Sequence, residues 1–542
     1  TAWASPSLNF IAQQSPPEVE TVAALNDSGP VVTLRGNIVS TGGQDPSAYF
    51  CWGTAYGGTS TASWHHVESM GVQTGAFSKN VTIDIRSNYF YTCFATNNYG
   101  VDWGLTLSFG KDRMRYVKKT ATGSGNGCDW SNAFTDIQTA LNDCSTSKTN
   151  ILYLSGRFII PAEVQWTRSR VQLKGGYEGI SGYPGNRAPE RWPTVMTNLA
   201  ATIRVMTINR VTNCLLENIV IAGGKANLNG GGLYILPSTN LTLAGCRITM
   251  NSANDAPGNY TCGGGIFASN TYGIVSNCWF EQNKARTVAA SKYDQGGGMY
   301  ARGGTWLFRD TVFYFNMTDS AGGGSSYAFG GGLCLDSGTH RVKNCLLAQN
   351  YSKGASDATN YSSGDGIMLL NNATLYMDNS TIVGNKGEGI RGNGNTTVSN
   401  SLLWANFDDA VNLPPSRLKY CNVEDRDNIG VDGCISREPA FERFFYLSPT
   451  SGCLNAGNVT AESAGLSAYT VHTDGTPDTG LLDLGYHHRS APDVRWSDFY
   501  VATSGSDANS GTNAAQPFKT LTKALAVSRP GTYVHVAAGI YA

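Results

Sequence analysis

One six-residue pattern recurs along the middle of this chain and restricts its fold more than any other feature. A small residue opens it, apolar residues follow and an Asn closes it, as in Cys246 with Asn251, Cys278 with Asn283 and Thr311 with Asn316. It continues in Cys345 with Asn350, Ser380 with Asn385 and Ser401 with Asn406. Between the copies run Gly triplets at 230–232, 263–265, 296–298 and 330–332, shortened to Gly-x-Gly at 364–366 and 387–389. The spacing starts near 32 residues and falls to about 20 near Cys421. A unit of this size marks a solenoid. Each unit holds short apolar strands, as at Ile235, Leu241, Leu243 and Ile248, without a helical period. Parallel coils with turns ~4.8 Å apart are therefore expected, like residue above like. Cys214, Cys246, Cys278, Thr311, Cys345, Ser380 and Ser401 would form one inward file, and Asn251 to Asn406 an amide ladder at a corner. The shrinking period implies loop insertions, such as 253–261 and 286–295, on early turns only.

Composition narrows the class further. The 542 residues include 64 Gly and 26 Tyr, with 41% apolar and only 15% charged residues, which excludes a disordered polymer, a coiled coil or a helical bundle. Thirty-nine basic residues against 40 acidic ones give a net charge of -1. Charge-driven binding of nucleic acid or an anionic membrane is not expected, and no apolar run is long enough to span a bilayer as a helix. The opening Thr1-Ala2-Trp3-Ala4 reads as a mature N-terminus after cleavage or as an engineered boundary. Thirteen cysteines without a CxxC pair indicate an oxidising compartment rather than zinc. Asn26, Asn80, Asn240, Asn259, Asn360, Asn372, Asn395 and Asn458 are candidate glycosylation sites. Asn316 and Asn350 also carry sequons, but burial in an amide ladder would bar them.

Residues 16–112 read as short alternating strands between turns, the signature of a small β-sandwich. Tyr91-Thr92-Cys93 has the form of a tyrosine corner, and Cys51 and Cys93 would lie on neighbouring strands as a candidate disulfide, against the alternative of two buried thiols. The segment resembles a fibronectin type III-like module of secreted bacterial proteins, which implies a spacer or binding module. Likewise, the alternation of Gly-Gly-Gly-apolar with aromatic-x-x-Asn over residues 213–406 resembles the repeats of bacterial polymorphic outer-membrane adhesins. That resemblance implies a right-handed parallel β-helix on a surface or secreted protein.

The stretch from Tyr116 to Leu141, leading to Ile151, resembles the opening of secreted bacterial β-helices: a strand, a Gly/Ser loop, a short capping helix and a first turn. Cys128 and Cys144 flank the helix as a candidate staple, and Cys421 with Cys434 is a third candidate pair. Residues 435–495 resemble the closing segment of the same proteins, and a solenoid needs covered ends. From Tyr500 to Gly539 the opening is repeated nearly element for element. Forty-odd residues bury little core alone, so this tail reads either as the start of a second β-helix or as a docking element for another subunit.

Catalytic signals are sparse. Asp365 and Glu388 share one slot of the Gly-x-Gly opening on adjacent turns, which predicts carboxylates ~5 Å apart, as retaining glycosidases use, with Arg391 close by. The competing readings are two exposed turn acids or a Ca²⁺ site, the one cofactor in view. His65-His66 and His487-His488 are adjacent pairs whose neighbours point apart, so neither makes a metal site alone. Trp306 and Tyr314 are candidates for stacking on sugars, or for inward packing.

The expected organisation is an N-terminal segment at 1–15, a sandwich at 16–112, an opening cap at 113–160, a parallel β-helix at 161–434, a closing cap at 435–495 and a second opening module or docking tail at 496–542. The fold class is all-β. The expected function is an extracellular or cell-surface structural or adhesive protein that joins copies of itself head to tail through 496–542. The alternatives are a secreted polysaccharide lyase or glycoside hydrolase, and a carbohydrate-binding surface module without turnover.

Overall fold

The computed structural model describes residues 14–25, 30–84, 87–110, 114–125, 127, 130–146, 149–180, 184–198, 202–227, 229–254, 260–288, 292–321, 326–354, 362–407, 417–424, 430–489, 498–528 and 534–541. The chain divides into two compact units, residues 1–154 with 178–186, and 155–177 with 187–542.

In the first unit, alternation builds a sandwich of antiparallel sheets. Glu18–Leu25, Val31–Ser40 and Ala76–Thr82 form one; His66–Val72, Ser47–Gly53, Asn88–Asn97, Gly100–Trp103 and Leu107–Gly110 form the other. Val32, Leu34, Phe50, Phe77, Tyr91 and Phe109 fill the core between them. Tyr91 is buried and its hydroxyl donates to Val22 O, 69 residues away in the chain, not to backbone a few residues upstream as in a tyrosine corner. The Cys51–Cys93 disulfide is not formed. The strands pair Phe50 with Cys93 and Cys51 with Thr92. That one-residue offset puts the thiols on opposite faces, Cys93 in the core and Cys51 against Trp64 and Phe94. Cys128 lies outside the described residues, and Cys144 donates to Ala140 O.

In the second unit, parallel turns stack in register into a β-helix. A back sheet of ten strands runs from Arg157–Ile159 to Asn422–Val423. A front ladder runs through Met206–Ile208, Leu233–Ile235, Ile266–Ser276, Met299–Arg309, Leu333–Asp336 and Ile367–Leu370, and a side ladder through Thr212–Glu217, Thr239–Ala244, Thr339–Lys343 and Thr374–Asp378. The strands Ile266–Ser276 and Met299–Arg309 belong to both ladders, bending at Asn270 and at Gly303-Gly304, all at positive φ. Inward residues stack in files. Leu216, Leu243, Val275, Phe308, Val342, Met377 and Val398 form one, and Phe280 stacks on Phe313 at 4.5 Å in another. Each such side chain contributes roughly 1.5–3 kcal/mol of burial.

Two corners are built alike, from a left-handed residue followed by a polar one that bonds to the next turn. Between the side ladder and the back sheet, Asn218, Gly245, Asn277, Asp310, Asn344, Asn379, Asn400 and Tyr420 have φ between +49° and +62°. Asn, Asp and Gly tolerate this conformation best. From Gly245 on, the residue after each is the small one of the repeat. Thr311 and Ser380 donate their hydroxyls to the carbonyls of Arg309 and Asp378, at 2.8 Å each. They accept from the turn before: Cys278 N to Thr311 Oγ1 at 3.4 Å, and Cys345 N to Ser380 Oγ at 3.0 Å. Cys246, Cys278, Thr311, Cys345, Ser380 and Ser401 do form one file, but Cys214 does not. It pairs with Leu241 inside the side ladder, and Ile219, just before the Val220–Arg247 pair, stands beneath Cys246.

At the next corner the amide ladder is complete. Asn251, Asn283, Asn316, Asn350 and Asn385 each donate Nδ2 to the Oδ1 of the Asn above, at 2.9–3.0 Å, ending on Asn406. Each Oδ1 from Asn283 to Asn406 also takes the backbone N–H of the Asn below. All six are buried.

The insertions on early turns are strands rather than irregular loops. Lys225–Ala226, Ser252–Asn254, Lys284–Thr287, Met317–Ser320 and Tyr351–Lys353 run out in one parallel sheet. Tyr260–Cys262, Tyr293–Gln295, Tyr327–Phe329 and Ser362–Ser363 return in another. The resulting arm covers part of the outer face of the front ladder, where Phe267, Tyr300, Cys334 and Met368 lie buried with Cys262, and Phe329 packs against them. The Gly triplets are where the arm rejoins the front ladder. The first Gly of each has φ of +67° to +73°, and a Cβ on Gly264 would come 2.3 Å from Lys284 C.

Removing one rung of the amide ladder tests its role. Asn316→Ala leaves two donors of Asn283 without their acceptor and takes the Nδ2 donor from Asn350 Oδ1 and Phe280 O, and a loss of about 3 kcal/mol in chemical denaturation is expected. For the same reason, glycopeptide mass spectrometry of protein from a glycosylating host should find Asn316 and Asn350 bare.

Candidate functional site

The tail and the opening cap are one structure built twice. In the first unit Tyr116 N bonds to Gly127 O (3.0 Å), Phe134 N to Tyr116 O (2.9 Å) and Lys118 N to Phe134 O (2.8 Å). In the second, Tyr500 N bonds to Gly511 O (2.8 Å), Phe518 N to Tyr500 O (2.8 Å) and Ala502 N to Phe518 O (3.0 Å). Gly127 and Gly511 have φ of +72° and +69°, and a Cβ on either would strike the Phe ring of its own module. Asp136 caps the helix Ile137–Asp143 through Thr139 N, and Thr520 caps Leu521–Val527 through Lys523 N.

The two copies differ in what they leave open to solvent. Leu141 and Leu154 of the opening cap are 1% and 0% exposed, whereas Leu525 and Val536, at the same places in the tail, are 67% and 48% exposed. Ile540 is 96% exposed. Val534–Val536 pairs on one side with Phe499–Val501, and among the described residues no strand pairs with its other edge. The tail has its own small core of Phe499, Val501, Phe518 and Ala524. An Arg443–Asp498 ion pair ties it to the segment that follows the β-helix.

Asp365 and Glu388 stand at the second position of the glycine corner on adjacent turns, where the arm terminates. They are 2% and 4% exposed, so they are not surface turn residues. Gly364 N donates to Glu388 Oε2 at 3.1 Å, and Arg391 pairs with Glu388 Oε1. Burial pushes the Asp365 carboxyl up to about 7. Hydrogen bonds from Ser352 oppose the shift and the Glu388 charge adds to it. Calcium fits poorly, because it takes six to eight oxygens and Arg391 already balances one of the two acids.

Other singled-out residues have ordinary packing roles. Trp306 is fully buried, and a Cβ on Gly273 of the turn before would meet its ring at 2.4 Å. Tyr314 lies under Phe444 at 5.4 Å. His66 stacks on Trp52 and His488 on Tyr446, while His65 Nδ1 accepts from Thr54 N. Asn80, Asn240, Asn372, Asn395 and Asn458 are exposed; Asn26, Asn259 and Asn360 lie outside the described residues. Sequence reasoning missed the buried pair of His487 Nε2 and Asp478 Oδ2 at 2.8 Å. His487 Nδ1 faces Gly485 O, so both ring nitrogens face acceptors. No spacing in the sequence announces that pair.

Comparisons with known proteins bear on the tail alone. A family described as a protein of unknown function (DUF1565) matches residues 503–542. No curated protein matches. Among solved structures, ORF18 of Geobacillus virus E2 is similar at 11% identity and a TM-score of 0.20, over 57% of this chain and 65% of that one. The catalytic domain of a GH87 alpha-1,3-glucanase in complex with nigerose is similar at 12% identity and a TM-score of 0.19, over 73% and 86%. At those scores neither likeness bears on function.

The acidic corner should report itself through pH. A carboxyl whose pKa is about 7 folded and near 3.8 unfolded keeps its proton longer in the folded state. Stability then falls as pH rises between those values, by at most about 4 kcal/mol. Asp365→Asn should remove that slope and raise the thermal midpoint at pH 8 more than at pH 5, as differential scanning fluorimetry across pH would show.

Proposed function

We propose that this chain is an extracellular structural or adhesive protein, with the β-helix as its rod and residues 496–542 as the element that joins one copy to the next. The observation that carries the reading is the tail's bare face. A module whose twin buries the corresponding leucines presents Leu525, Val536, Ile540 and an open strand edge. Backbone pairing along such an edge, with apolar side chains beside it, is the physical basis of strand addition. A contact between unlike surfaces of identical copies propagates into a filament unless it closes on itself. The surface and secretion setting comes from the resemblance of the repeats to those of outer-membrane adhesins.

Access weighs against the hydrolase alternative. A glycosidic oxygen must reach a carboxyl group, and both candidate carboxyls lie under neighbouring chain.

Negative-stain microscopy of the purified chain should show regular fibres. Deleting residues 498–542 removes a module with its own core, and should abolish fibres while leaving the unfolding midpoint of the β-helix within a few degrees. Leu525→Asp with Val536→Asp should do the same. Fibres that persist in either variant, or dispersed wild-type monomers that release reducing sugar from polysaccharide, would reject this reading.

A further inference from the structure

The file of small side chains ends in two stacked thiols. Leu402 pairs with Asn422, so Cys421 stands on Ser401. Asn422 bridges in parallel to Ile435, which sets Cys434 on Cys421. Ile435 N to Cys421 O at 2.8 Å and Val423 N to Ile435 O at 3.0 Å hold that register. Parallel neighbours lie ~4.8 Å apart with side chains on one side, within the ~4.4–6.8 Å that a disulfide spans between Cα atoms. Cys421 Sγ itself donates to Lys419 O at 3.3 Å.

We propose that Cys421 and Cys434 are a redox-active pair that closes into a disulfide by exchange with a small-molecule disulfide, stapling the last turn of the β-helix to the segment that follows it. The Cys434 thiolate attacks one sulfur of the small disulfide, whose S–S bond breaks and releases one thiol. Cys421 then loses its proton and attacks Cys434 Sγ, breaking the mixed disulfide and releasing the second thiol. Two protein thiols are oxidised and one small disulfide is reduced.

The chemistry selects this pair. The neighbouring Cys421 thiol holds the Cys434 thiol down at about 7, against burial, and a lowered thiol is the better nucleophile near neutral pH. Cys434 is itself 2% exposed, on a turn whose Val431, Asp432 and Gly433 are exposed. Cys246 and Cys278 are stacked in the same file, and their thiols donate to Leu216 O and Ser276 O at 3.3 Å each, as Cys421 does to Lys419 O. Burial pushes Cys278 well above the usual thiol range. Cys453, which accepts from Asn422 Nδ2 at 2.9 Å, is pushed up to about 11 by burial. The proposal goes beyond the assembly reading and does not depend on it.

The test is oxidation of the full chain with oxidised glutathione at pH 8, followed by peptide mapping without reduction. One cross-link, Cys421 to Cys434, is expected, with a rate that rises as pH passes about 7. The oxidised protein should melt several degrees higher than the reduced one. Cys421→Ser should fold, because Ser380 and Ser401 fill the same place in the file. That variant should hold a glutathione adduct on Cys434 and lose the rise in melting temperature. A cross-link to Cys453, earlier oxidation of Cys246 with Cys278, a lasting Cys434 adduct in the wild-type chain, or an unchanged melting point would overturn the proposal.

Discussion

Vertical register is the constraint on which everything else in the β-helix depends, and the buried Asn file enforces it. An amide removed from water and left unbonded costs more than a surface hydrogen bond gains. Each of these amides finds its partners only when the next Asn lies directly above it. Asn283, for example, gives Nδ2 to Asn316 Oδ1 and to Ile248 O, while its own Oδ1 takes both N–H groups of Asn251. A slip of one residue on any turn would strand a set of donors. The apolar files add most of the energy, yet Leu on Val or Phe on Phe tolerates a slip far better than an amide does. The same register places exposed Met250 and Phe315 at the left-handed positions just before Asn251 and Asn316, with their side chains turned out.

Once the turns are fixed, the outer faces must be dealt with, and the chain covers two of them with itself. The arm overlies the aromatic file of the front ladder. The segment that follows the β-helix returns along it. Phe444 sits on Trp279 and Tyr314, Tyr486 N bonds to Thr381 Oγ1, and His487 and Asn344 exchange two hydrogen bonds. Lys343 Nζ reaches Ala464 O from the same side. Those faces are therefore spent on stability. The tail carries exposed Leu525, Val536 and Ile540 beside a strand edge unpaired among the described residues, which is why the functional reading falls there and not in a groove.

How much of this was readable depends on how far each inference reached through space. The Asn file, the Gly triplets and the duplicated cap were readable because each is a local pattern repeated at a regular interval. The insertions at 253–261 and 286–295 were located by the changing period, but not their pairing as strands, since three-residue strands carry no alternation. Cys214 was misplaced because a thiol resembles the small residue of the repeat. Asn213 before it is left-handed too, but lies at the start of the side strand, whereas the corner with the back sheet falls at Asn218, before Ile219. Cys51 and Cys93 do lie on neighbouring strands, but one residue of strand offset keeps them apart as two buried thiols.

The acid pair shows where sequence stops. That Asp365 and Glu388 occupy equivalent places on adjacent turns follows from the repeat. Their burial follows from the arm ending there and from the neighbouring chain closing over them, contacts that no local pattern encodes. The sequence by itself determined a coil of parallel turns, its corner chemistry and the doubling of its opening cap, because each is fixed by residues a constant number of positions apart. Tertiary structure alone decided which faces the arm and the returning segment cover, which thiols meet and which carboxyls lose water. Those outcomes depend on segments distant in the chain meeting in space, and burial is a property of that meeting.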